Sequence, residues 1–219
     1  MNHRRETRGV VFDMDGVLIN SHPAHRAAWK EFLRQTGNHV PDAELAFILE
    51  GRTRAEILRH FLGDLPEAEL QSYGQRKDEI FRRMEPRIEP VPGVVEFLDK
   101  LRRCGIVCAV ATSASEIRTT STIERMGLGD SFAAIVTAGD VTAGKPDPMV
   151  YRLACERMMV RPQHALAFDD AFAGVRAAVA AGLRCIGVSS NGLRETLLEA
   201  GAERVIPDFT GPELDIVLR

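Results

Sequence analysis

Val10-Val11-Phe12-Asp13-Met14-Asp15-Gly16-Val17-Leu18 is the stretch on which the reading of this chain turns. An apolar run leads directly into two carboxylates and a glycine, as a buried strand ending in charge would. Other segments share the design. Ala109-Val110-Ala111 leads into Thr112-Ser113, and Ala165-Leu166-Ala167-Phe168 into Asp169-Asp170, while Gly144-Lys145-Pro146 offers a lysine from a loop. A parallel α/β sheet gathers the carboxyl ends of its strands along one edge, and ligands bind in the crevice there. Carboxylates, a hydroxyl and a lysine meeting at that edge suit Mg²⁺ and a phosphoryl group.

Beyond about residue 91, helix and strand patterns alternate. Pro92 to Arg103 is predicted as a helix with an apolar stripe of Val94, Val95, Leu98 and Leu101, and Ile106 to Ala111 as a strand buried on both faces. A helix at Glu116 to Met126, a strand at Ala133 to Thr137 and a helix at Pro148 to Met158 follow. Next come a strand at Ala165 to Phe168, a helix at Ala173 to Ala181, a strand at Arg184 to Val188 and a helix at Leu193 to Ala200. This alternation predicts an α/β fold with a doubly wound, Rossmann-like parallel sheet whose first strand is Gly9 to Phe12. Between them, His22 to Thr36, Asp42 to Leu49, Arg54 to Leu62 and Glu67 to Met84 all read as helices. They predict a small all-helical cap domain at 19–87, inserted into a core of 1–18 and 88–219, with hinges near Gly16 to Asn20 and Glu85 to Val91.

The 219 residues suffice for one core domain with a smaller partner, and 27% charged with 45% hydrophobic residues is ordinary for a globular enzyme. A net charge of −3 argues against a nucleic-acid surface, and Arg4, Arg5 and Arg8 read as a short tail rather than a binding arm. The start is too polar for a secretory leader, and no apolar run approaches the roughly 20 residues of a membrane span. Cys104, Cys108, Cys155 and Cys185 form no Cys-x-x-Cys pair and read as free thiols of a reducing cytosol. The expectation is a cytoplasmic protein, monomeric by default, with no nucleic-acid or membrane partner.

Asp13 and Asp15 stand two apart at a strand end, so a pleat would point both the same way. Carboxylates this close repel unless a cation or a division of roles keeps them there. A calcium loop does not fit: Gly16 comes too early, and Ala24 stands where a bidentate glutamate belongs. Lys145 sits in a near miss to a P-loop, Gly139 and four residues before Gly144-Lys145, but Pro146 stands where a Ser or Thr would bind Mg²⁺. It reads as a single positive charge on a rigid loop, or as an unpaired surface lysine. Thr112 and Ser113 offer a hydroxyl and backbone N–H groups for a phosphate, or a helix cap. Capping explains one of Asp169 and Asp170; a hard oxygen-ligand site explains both.

Together these motifs resemble, in order and over nearly the whole chain, the haloacid dehalogenase superfamily. Phe12 to Leu18, Thr112-Ser113, Gly144-Lys145-Pro146-Asp147-Pro148 and Phe168-Asp169-Asp170 with Gly174 carry the resemblance. It implies that Asp13 attacks phosphorus and that Asp15 protonates the leaving oxygen, then deprotonates water. It also implies that Thr112 and Lys145 balance phosphoryl charge, and that Mg²⁺ is held by Asp13, Asp170, Asp169 and the Asp15 carbonyl. Dehalogenases of the superfamily lack a carboxylate at the Asp15 position, so phosphoryl transfer is expected, from a small phosphorylated metabolite.

In the cap, His25 with Ala28-Trp29-Lys30, Gly51-Arg52-Thr53-Arg54 and Arg76-Lys77 resemble β-phosphoglucomutase and related sugar phosphatases. The resemblance implies that His25 meets Asp15 or the leaving group, and that Arg54 and Lys77 reach a second substrate charge; each could instead lie on a solvated basic helix face, a reading about even for Arg54 and Lys77, and His25 could also be a core histidine packed near Trp29. Ser113 joins them as a substrate contact. After Thr112-Ser113 the mutases usually carry Lys-Asn to grip a second phosphate, whereas this chain has Ala114-Ser115-Glu116-Ile117. The expectation is therefore a Mg²⁺-dependent sugar phosphatase, with a β-phosphoglucomutase as the alternative and a non-catalytic phospholigand module disfavoured by the intact Asp13/Asp15 pair.

Overall fold

The computed structural model describes residues 6–49, 54–84, 88–190, 192–212 and 214. Arg4 and Arg5, Gly51 to Thr53 of the cap motif and residues 85–87 of the second hinge lie outside them. The chain forms two compact units, Met1–Ile19 with Pro90–Arg219, and Asn20–Glu89.

The first unit is built on a six-stranded sheet, β1 (Gly9–Phe12), β2 (Val107–Ala111), β3 (Ala134–Val136), β4 (Ala165–Asp169), β5 (Arg184–Val188) and β6 (Arg204–Ile206). Every pairing is parallel, in the order β3-β2-β1-β4-β5-β6. The strand order reverses between β1 and β4, the switch point at which a doubly wound sheet opens a ligand crevice.

Side-chain alternation divides the layers. Val11, Ala109, Ala111, Ala165 and Ala167 join one core with Tyr151 and Val175, which belong to α6 (Met149–Arg157) and the alanine-rich α7 (Phe172–Ala180). Small strand residues let these helices approach closely. On the opposite face Phe12 and Phe168 stack at 5.4 Å, and Phe97 of α4 (Val94–Arg103) meets both edge-on. Each of these buried rings contributes about 1.5–3 kcal/mol by leaving water. α5 (Glu116–Arg125) and α8 (Arg194–Glu199) complete the unit.

The second unit packs α1 (His22–Gln35), α2 (Arg54–Leu62) and α3 (Glu67–Met84) around Trp29, Phe32, Leu58 and Phe81. Asp42 to Leu49, expected as a helix, is helical over Glu44–Leu49, in 3₁₀ geometry. Pro41 precedes it, and a run this short gains little from α geometry.

Candidate active site

Register sets the site. Phe12 pairs with Phe168 across β1 and β4, and the Asp13 N–H donates to the Phe168 carbonyl at 2.9 Å. The next residues, Asp13 and Asp169, therefore emerge side by side on the face that carries Val11, Ala165 and Ala167.

Lys145 joins them. Its Nζ donates to Asp13 Oδ1 at 2.6 Å and to Asp169 Oδ2 at 2.8 Å, and lies 5.1 Å from the centre of the Tyr151 ring. The side chain is 9% exposed, which discards the surface-lysine reading. Tyr151 Oη donates to Asp169 Oδ2, and the Ala171 N–H donates to Asp169 Oδ1 at 2.9 Å. Both Asp169 oxygens are thus engaged. The carboxylate also presses on α7, where a Cβ built on Gly174 would fall 2.0 Å from each of its oxygens. Glycine at 174 makes the room that Asp169 occupies.

Asp15 takes a different partner from Asp13. The ladder continues to the Asp13 N–H, but the chain turns at Gly16 (φ 73°), so the pleat expected to aim both carboxylates one way does not extend to Asp15. Arg118, in the first turn of α5, donates from Nη1 and Nη2 to Asp15 Oδ2 and Oδ1, 2.7 Å each. Thr112 is buried at the end of β2; its N–H donates to the Val136 carbonyl and its Oγ1 accepts from the Ala114 N–H. Ser113 is exposed. Neither caps α5, whose N-cap is Ser115.

The charge balance bears on a cation. Burial pushes the Asp13 carboxyl well above its ordinary range; Lys145 opposes this, while Asp169, Asp170 and Asp15 add to it. Burial works against the Lys145 ammonium, yet Asp13 and Asp169 more than offset that and raise its pKa. Burial and Asp169 likewise keep the Tyr151 hydroxyl protonated. Among the described residues no three acidic, histidine or cysteine side chains are grouped as a ready-made metal site, and Lys145 and Arg118 pair with Asp13, Asp169 and Asp15. The donors are nonetheless all hard oxygens and short of positive charge, the chemistry that suits Mg²⁺.

In the second unit Lys77 is buried, donates to His25 Nδ1 at 3.0 Å, and lies 4.9 Å from the Phe81 ring centre and 5.5 Å from that of Trp29. His25 stacks on Phe81 at 4.0 Å. Arg54 pairs with Asp78 at 2.7 Å and keeps half its side chain exposed. Its aliphatic stem crosses Gly74, where a Cβ would fall 2.7 Å from Arg54 Cδ.

Sequence reasoning missed Tyr151 and Arg118. Tyr151 shares its helix stripe with Val150, Ala154 and Cys155 and reads as core; only its place six residues after Lys145 hints at the hydroxyl's target. Arg118 carried no signal, because a charged residue in the first turn of a polar helix is ordinary.

A family model described as haloacid dehalogenase-like hydrolase matches residues 10–188. The chain is 32% identical over 197 residues to validoxylamine A 7'-phosphate phosphatase of Streptomyces hygroscopicus subsp. limoneus, covering 87% of this chain and 90% of that one. It is 34% identical over 183 residues to hexitol phosphatase A of Escherichia coli, covering 84% and 83%. A solved haloacid dehalogenase hydrolase from Entamoeba histolytica superposes with a TM-score of 0.86 at 26% identity, covering 97% and 98%. The chain belongs to the haloacid dehalogenase-like hydrolases.

Proposed function

We propose that this protein is a Mg²⁺-dependent phosphatase of a small sugar or polyol phosphate, working through an aspartyl-phosphate on Asp13. The observation that carries the reading is Lys145 bridging Asp13 and Asp169 beside the switch point of the sheet. Relatives named as phosphatases of phosphorylated carbohydrates support the substrate class.

Asp13 attacks phosphorus, and the bond from phosphorus to the leaving oxygen breaks as Asp15 supplies that oxygen's proton. Water then attacks the phosphorus of the aspartyl-phosphate, Asp15 takes a water proton, and phosphate leaves with Asp13 restored. Lys145 and Thr112 stabilise charge on the phosphoryl oxygens, with Ser113 a further contact. Asp169 holds Lys145 in line, itself fixed by Tyr151 and Ala171. Asp13, Asp170 and the Asp15 carbonyl would hold Mg²⁺, with Asp169, its oxygens already engaged, beside them. When bound, the ion supplies the positive charge that lets buried Asp13 ionise and screens the phosphoryl group. Arg54 contributes to substrate choice through its exposed guanidinium, whereas buried Lys77 would have to exchange its bond to His25 for one to substrate.

No helix among the described residues is long and apolar enough to cross a membrane. Cys108, Cys155 and Cys185 are free and buried, in keeping with the cytoplasm as the working compartment.

Phosphate release from a panel of sugar and polyol phosphates, with and without Mg²⁺, tests the reading. Mg²⁺-dependent release on one or a few of them, lost in Asp13→Asn, is the expected result. Conversion of β-glucose 1-phosphate to glucose 6-phosphate faster than phosphate release would make the protein a mutase instead.

A further inference from the structure

Asp15 lies beyond the end of β1, in an isolated bridge to Ile19 that closes the turn at Gly16 to Leu18. The backbone bonds around it run from Gly16 N–H to the Ile19 carbonyl and from the Leu18 and Ile19 N–H groups to the Met14 carbonyl. They hold the loop but leave the plane of the Asp15 carboxylate undetermined. A group that exchanges protons with a reacting oxygen needs that plane fixed, because an error of about 1 Å costs on the order of a hundredfold in rate.

Arg118 meets this need. Its guanidinium grips both carboxylate oxygens at 2.7 Å, the two-point geometry that a lysine cannot reproduce. The side chains are only 17% and 26% exposed, so the pair is better shielded than an ordinary surface ion pair. The base is firm, since the next turns of α5 bury Thr119, Thr122 and Ile123. The pair also spans 103 residues of sequence within one unit, linking the β1 loop to the helix that follows Thr112-Ser113.

We propose that Arg118 is the positioning residue for Asp15. In its protonated form Asp15 keeps one oxygen on the guanidinium and turns its hydroxyl to the leaving oxygen; ionised by that transfer, it takes the water proton on the same oxygen. The inference rests on Asp15 being the acid–base group of the phosphatase reading.

The test is a double-mutant cycle on phosphate release from a sugar phosphate with Mg²⁺, using Arg118→Ala, Arg118→Lys, Asp15→Asn and Arg118→Ala/Asp15→Asn. Arg118→Ala is expected to lower kcat about 10- to 100-fold with KM changed less than about twofold, and Arg118→Lys to recover only part of that loss. In the Asp15→Asn background, removing Arg118 is expected to cost less than about twofold more. If Arg118→Ala fails to fold, Arg118→Gln carries the same cycle. Unchanged kcat, a rise in KM alone, or losses that multiply in the double variant would each overturn the proposal while leaving the phosphatase reading intact. A wild-type chain that hydrolyses no phosphomonoester overturns that reading and the positioning role together.

Discussion

Replacing Gly174 with alanine adds one methyl group, yet the structure assigns it a large effect. The new carbon would lie 2.0 Å from both oxygens of Asp169, and ordinary contact begins at 3.4 Å, so the carboxylate must retreat by about 1.4 Å. That movement exceeds what its bonds to Lys145 Nζ (2.8 Å) and Ala171 N (2.9 Å) tolerate. Hydrogen bonds to a charged group are worth about 1.5–3 kcal/mol each, and overpacking a tight site costs about 1–3 kcal/mol. Alanine returns about 1 kcal/mol of helix propensity. The net expectation is a loss of at least about 3 kcal/mol, or a Tm lower by at least about 6 °C for a chain of this size. Lys145, no longer held by Asp169, loses its aim at the phosphoryl site, so kcat/KM should fall at least about a hundredfold. Gly129→Ala, with open space around the new carbon, is the control and should stay within about 0.5 kcal/mol of wild type. Calorimetry and phosphate-release kinetics on both variants decide the matter. Wild-type Tm and activity in Gly174→Ala would show that Asp169 is not packed as described.

Two further outcomes follow from the electrostatics. Because burial raises the native pKa of Asp13 above its unfolded value, ionising it costs stability: its contribution is full below the ordinary carboxylate pKa of about 3.9 and is lost as pH rises through the higher native value. Asp13→Asn has no such loss, so in metal-free buffer its stability relative to wild type should improve with rising pH across that window, and a gap constant with pH would contradict the burial argument. Mg²⁺ at 100 times its Kd should stabilise the wild type by about 2.7 kcal/mol, roughly 5–11 °C in Tm, and Asp170→Asn should abolish most of that shift; an equal shift in the variant would remove Asp170 from the metal site.

Regular elements were legible wherever hydrophobic period and end signals agreed. β1, α2, α3 and β5 run over the residues their patterns predicted, Gly9–Phe12, Arg54–Leu62, Glu67–Met84 and Arg184–Val188. β6 was missed because Arg204–Ile206 is only three residues long and shows no alternation. At the site, strands ending in charge were enough to bring Asp13 and Asp169 to one sheet edge, and the lysine expected from a loop, Lys145, meets both there. What pattern could not supply were contacts made across the fold by side chains whose local setting is ordinary, Tyr151 in an apolar stripe and Arg118 on a polar helix. The separation of Asp13 and Asp15 onto different partners was likewise hidden, because the chain leaves the pleat after Asp13 and turns at Gly16.

The most direct test is to quench the enzyme during turnover of a good sugar phosphate, reduce the protein with borohydride, and map the product by mass spectrometry. An acyl phosphate on Asp13 is reduced to homoserine, so the peptide containing residue 13 should carry that change in wild type, only in the presence of substrate, and not in Asp13→Asn. An active enzyme that shows no modification at Asp13, or shows it on Asp15 or Asp169, would contradict the assignment of Asp13 as the nucleophile.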